Sequence, residues 1–255
     1  MAQLSSSNDY WIEKMLFYND DKEMLILTNR EKSPIEIWNV SDQRLVGEIN
    51  LKLDCSTFDL SPDKSTLAIC STESKVVLLY SIKTKSVLSK ITLATNVYEA
   101  KFSECGRYLA VISDTEVAIY DSKSKLLFSK KGNFTDLHFS SDSKYICSYE
   151  IDDKKLFKWD FLSKDLQNIQ YSLSTRNYVV NADLSIVAFS DSRSDIHVMH
   201  FVQIDSGKNL NMADLPKNNL HQLQLLYIRS SNSVIRPMCS LKTGFTFEHY
   251  YFKRK

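Results

Sequence analysis

With 255 residues, 43% apolar and 25% charged, the chain has the balance of a protein that buries a core, which argues against disorder as its main state. Its formal net charge of +1 supplies no global field for DNA, RNA or anionic lipid. No apolar run approaches the roughly 20 residues that cross a bilayer, and the opening "MAQLSSSNDYW" lacks the basic and apolar regions of a secretory signal. An intracellular protein, cytoplasmic or nuclear, is expected.

Along the chain, one pattern returns. Its aromatic anchors are Trp38 in "IEIWNV", Tyr80 in "VVLLYSI", Tyr120 in "EVAIYDS" and Trp159 in "KLFKWDF", in steps of 42, 40 and 39 residues. A second anchor, a polar turn, keeps the same period: "YNDDKEMLIL", "LSPDKSTLAI", "FSECGRYLAV", "FSSDSKYICS" and "VNADLSIVAF". Each unit divides into four short runs of alternating apolar residues, here called a to d; in the third unit they are "YEAKFS", "YLAVIS", "EVAIYD" and "KLLFSK". Short Ser/Asp/Lys-rich turns between the runs force neighbouring strands antiparallel. Units of about 40 residues with four strands each predict an all-β, propeller-type architecture.

The residues "FDLSPDKSTLAICS", "KFSECGRYLAVIS" and "KLFKWDF" resemble the WD40-repeat family, and the resemblance covers most of the chain. It implies a single-domain β-propeller of four-stranded antiparallel blades. The sequence departs from the family in having one Trp-Asp pair, Trp159-Asp160, and no Gly-His dipeptide. Blades are expected at about 14–56, 57–96, 97–133, 134–175 and 176–215. A sixth, at 216–255, reads as "HQLQLLYIR", "SVIRPMCSL" and "FTFEHYYF", with its missing outer strand supplied by residues 1–13 through "AQLSS" or "DYWIEK". An incomplete ring filled by a partner's strand is the rival arrangement.

Residues that carry chemistry are sparse. Five glycines, no two of them close, leave no dinucleotide loop, phosphate loop or nucleophile elbow. The five cysteines, Cys55, Cys70, Cys105, Cys147 and Cys239, form no C-x-x-C pair and read as structural thiols of a reducing compartment. Ser61, Ser103 and Ser140 occupy turn positions, where a hydroxyl serves the backbone. In "IHVMHF", His197 and His200 are three apart on a strand and point to opposite faces, so they cannot grip one ion. Asp114, Asp152 and Asp191, read into corresponding b to c turns, leave open a lactonase-like enzyme with a metal in the channel. No adjacent arginines or basic stripe point to phosphoinositide or nucleic acid.

The expected role is a non-catalytic scaffold without cofactor, a subunit of a hetero-complex that binds other proteins or peptides. In the WD40-like arrangement the d to a and b to c loops share one face. There the b to c loops carry Glu73, Asp114, Glu116, Glu150, Asp152, Asp153, Asp191 and Asp195 against Lys75, Lys154 and Arg193, an acidic rim suited to basic segments. The d to a loops add Tyr98, Phe134 and Arg176, residue types of interface hot spots. The candidate partner-binding residues are Tyr98, Asp114, Glu116, Phe134, Asp152, Asp153 and Arg176.

Overall fold

The computed structural model describes residues 12–29, 34–163, 169–173, 178–193, 196–210, 233–240 and 244–251. The chain divides into two compact units, residues 1–137 and 138–255. Every regular element among the described residues is a strand.

Three consecutive four-stranded antiparallel meanders make up most of the first unit. They are β1–β4 (Ile12–Tyr18, Glu23–Thr28, Ile35–Asn39, Arg44–Ile49), β5–β8 (Thr57–Leu60, Thr66–Ser71, Val76–Ser81, Ser86–Thr92) and β9–β12 (Val97–Phe102, Tyr108–Ser113, Glu116–Asp121, Leu126–Lys131). Ile12 and Glu13, which the sequence grouped with a closing strand, belong instead to β1, where Ile12 pairs with Thr28.

Strand alternation sorts the second sheet's side chains into two apolar faces, and both are buried. Leu67, Ile69, Val76 and Leu78 join one core with Leu25, Leu27 and Ile35 of the first sheet. Ala68, Cys70, Val77 and Leu79 join another with Val97, Ala100, Leu109 and Val111 of the third. A sheet covered on both faces reads as a continuous apolar run, which is why "VVLLYS" lacks polar alternation. Three of the four aromatic anchors share a local device: the ladder slips at Ile37/Trp38, Leu79/Tyr80 and Ile119/Tyr120. Such bulges add twist and re-aim the side chain.

The fourth sheet is β13–β16 (Phe134–Phe139, Tyr145–Glu150, Lys155–Asp160, Ile169–Ser172), and its first strand straddles the division between the units. The fifth has three strands, β17–β19 (Tyr178–Val180, Ile186–Arg193, Ile196–Gln203), and a fourth reduced to a bridge between Val202 and Asn209. In the second unit Tyr149, Leu156, Val187 and Val202 meet in one core. A hairpin, β20–β21 (Ser233–Ser240, Gly244–Tyr251), ends the described chain. Its strands fall in two of the three segments read for the sixth unit; the segment at 221–229 lies outside the described residues.

One turn recurs after the a strand. Ser61, Ser103 and Ser140 each accept, at the side-chain oxygen, the amide of the residue five positions on: Thr66 at 2.9 Å, Tyr108 at 3.1 Å and Tyr145 at 2.9 Å. Asn181 does the same for Ile186 with its Oδ1, at 2.8 Å. Each turn needs one residue in the left-handed region, filled by Lys64, Gly106, Ser143 and Leu184 with φ from 54° to 70°. That conformation costs Leu184 the most, and its burial offsets the cost. The turn serines therefore serve the backbone, as their positions suggested.

Candidate functional site

In the first unit the b to c and d to a loops gather at one end of the sheets. Thr72 Oγ1 donates to Val97 O at 2.8 Å, and Lys75 Nζ to Ala94 O at 3.4 Å, tying the turn after β6 to the connector before β9. The turn after β10 joins them. Asp114 accepts the Tyr98 hydroxyl at Oδ1 and the Asn96 amide, at 3.2 Å, at Oδ2. Gly132 N then donates to Thr115 O at 2.9 Å, bringing in the connector before β13. The result is a continuous loop surface with the Tyr98 ring 51% exposed on it.

The candidate residues fare differently. Tyr98 and Asp114 are brought together, and Glu116 follows at the start of β11, half-buried. Both Asp114 oxygens are engaged within the chain, so this carboxylate braces the loops, and donation to it lifts the Tyr98 hydroxyl above the usual tyrosine range. Phe134 is 4% exposed, and its ring lies against Gly132, where an added Cβ would meet Cε2 at 2.7 Å. It is a packing residue rather than part of an open rim. Asp152 and Asp153 are exposed in the turn after β14, with Asp153 3.7 Å from Lys155. Glu150, counted with the rim, is buried, and its Oε2 accepts the Asp153 amide. Asp191 lies within β18, opposite Val198, and not in a turn. Arg176 and Asp195 lie outside the described residues.

A second group went unread in the sequence. The first strands of adjacent sheets face one another, and charged side chains cross between them. Asp59 on β5 accepts the Phe102 amide of β9 at 2.8 Å. Glu99 on β9 accepts the Leu137 amide of β13 at 3.3 Å, while Lys101 Nζ donates to the same residue's carbonyl at 3.1 Å. An edge strand leaves outward amides and carbonyls unpaired by its own sheet, and a buried one needs a partner. Here the preceding sheet's side chains supply it. Burial raises the carboxyls of Asp59 and Glu99 above the ordinary range, against the opposing pull of these amides and of Lys14 and Lys101. Lys14 Nζ sits 5.9 Å from the Phe58 ring centre. The signal was a charged residue between apolar ones in an a strand, as in "TFDL" and "VYEAKF".

At the other end of the same sheets, a groove of about 510 Å³ lies among Pro62, Leu79, Leu88, Phe102, Cys105 and Lys123. Buried Cys70 and Cys147 have thiols pushed up by desolvation, consistent with small core residues. Among the described residues no three His, Cys, Asp or Glu side chains come together as a metal-binding group, and no helix is long and apolar enough to cross a membrane. His200 stacks on Phe189 with ring centres 5.0 Å apart.

No family model matches the sequence, and no curated protein matches it. Among solved structures 1372 chains are similar, and a shared fold does not by itself fix a function. One is hydrazine synthase of Kuenenia stuttgartiensis, with a TM-score of 0.61 at 15% identity over 92% of this chain and 73% of that one. At that identity the likeness concerns the fold alone.

Proposed function

We propose that the chain is a WD40-like β-propeller acting as a non-catalytic intracellular scaffold, one subunit of a hetero-complex, that binds a basic segment of another protein on its loop-bearing end. The supporting observation is the continuous loop surface in which Tyr98 stands exposed, braced by Asp114. A rigidly held aromatic on a knitted surface loses little freedom on binding, the property of an interface anchor. In the second unit, taken by itself, exposed Asp152 and Asp153 supply negative charge suited to a basic partner.

The test is capture of a Lys/Arg-rich peptide by the immobilised full chain. Tyr98→Ala, and separately Asp152→Lys with Asp153→Lys, are expected to weaken capture about tenfold each. Unchanged capture in both variants overturns the reading.

The ring proposed for this scaffold has six blades, the last closed by the amino-terminal segment. Support comes from the repeated four-stranded sheets and the additional hairpin β20–β21. Deleting Ala2 to Asp9 is expected to lower the melting temperature, because it removes the closing strand and exposes an edge. An unchanged melting temperature counts against closure.

A further inference from the structure

The outer strands of the first unit each carry one residue that the ladder leaves over. At the slips Ile37 pairs with Gly47 and Trp38 with Leu45, Leu79 with Ser89 and Tyr80 with Val87, and Ile119 with Phe128 and Tyr120 with Leu126. The residues skipped are Val46, Leu88 and Leu127, all aliphatic and 44%, 58% and 41% exposed. A bulge turns its extra residue out of the ladder, so these side chains serve no pairing in their own sheets. Leu88 has a cleft beside it. It lines the groove of about 510 Å³, whose apolar walls include Pro62, Leu79 and Phe102, a size at which clefts hold ligands.

The turns at this end are basic. Lys64, Lys83, Lys85, Lys123 and Lys125 are exposed there, and Lys123 lines the groove itself. Among the described residues no ion pair holds any of these five ammonium groups. The nearby acids are largely committed to their own turns. Asp63 accepts the Ser61 hydroxyl at 2.6 Å and the Ser65 hydroxyl at 2.8 Å, while Asp121 Oδ1 accepts the Lys123 and Lys125 amides, each at 2.9 Å. That leaves Glu104, exposed beside Cys105, as the opposing charge of these turns.

We propose that this groove docks a short acidic segment of another protein, seating a leucine-type side chain against Leu88 and Phe102 and its carboxylates against Lys123 and the neighbouring lysines. Opposite charges around an apolar seat fix the orientation of such a segment. A nucleic acid backbone would meet the same lysines but offers no aliphatic group to cover Pro62, Leu79 and Leu88. The site lies at the other end of the sheets from the Tyr98 surface and does not depend on what binds there.

The test titrates the full-length protein with fluorescein-labelled short peptides of Asp, Glu and Ser around a central pair of leucines, followed by anisotropy. Binding is expected, and replacing the leucines by serine, or the acids by lysine, should weaken it about tenfold. Leu88→Ser and Lys123→Glu, both at exposed positions, should weaken it about tenfold and about fivefold, while Tyr98→Ala leaves it unchanged. In the wild type the bound peptide is also expected to slow maleimide labelling of Cys105, which is exposed in the groove, as read by peptide mapping. Serine peptides that bind as tightly as leucine peptides would reveal a general polyanion surface and overturn the proposal. Absent binding, binding indifferent to Leu88→Ser, or unchanged labelling of Cys105 overturns it as well.

Discussion

Replacing Trp159 with alanine is expected to destabilise the protein by about 3–5 kcal/mol in urea unfolding, the range for deleting a buried aromatic. Trp159 is fully buried, opposite Ile146 in the ladder, and stacks on Phe157 with ring centres 5.5 Å apart and planes 12° from parallel. Its truncation opens a cavity between strands whose alternate residues are already committed to the core. Trp38 occupies the equivalent position in the first sheet yet is half-buried, with Nε1 donating to Glu36 Oε2 at 2.7 Å. Trp38→Ala should cost only about 1–2 kcal/mol, since less apolar area is lost and the Glu36 carboxylate stays hydrated. Equal losses would show that repeat position, not burial, sets the energetics.

That contrast marks the boundary of what the sequence makes legible. Strand alternation and turn chemistry are local, so the four-stranded units, the aromatic anchors and the backbone role of Ser61, Ser103 and Ser140 are readable from spacing. Relations between sheets are not local. Phe134 and Tyr98 both sit near the start of an a strand, yet one ring turns onto Gly132 and the other into solvent. Position in the strand decides it: Phe134 is the first residue of β13, as buried Val97 is of β9, whereas Tyr98 is the second. Asp59 and Glu99 show their role only once the next sheet's backbone is set against them. The rim holds fewer free carboxylates than its residue types suggest for a local reason, since one such as Glu150 can fold back onto its own turn.

The second large effect concerns Lys158, a charge placed where the pattern "KLFKWDF" would lead one to expect a solvated residue. It is 5% exposed, its Nζ lies 2.8 Å from Asp205 Oδ1, and it sits 4.8 Å from the Tyr145 ring centre. Asp205 is about half exposed, so the two partners are unequal. Asp205→Ala strands a buried cation that keeps, among the described residues, the aromatic face of Tyr145; the expected loss is about 2 kcal/mol, below the full buried-pair penalty because water reaches the site from the aspartate side. Lys158→Met removes the charge and keeps the unbranched stem, and should change stability by less than about 1 kcal/mol in either direction. Combining Lys158→Met with Asp205→Ala should therefore recover most of what Asp205→Ala loses. Additive losses in the double variant would mean instead that Lys158 contributes through its stem and Asp205 through its turn, with little coupling between the charges.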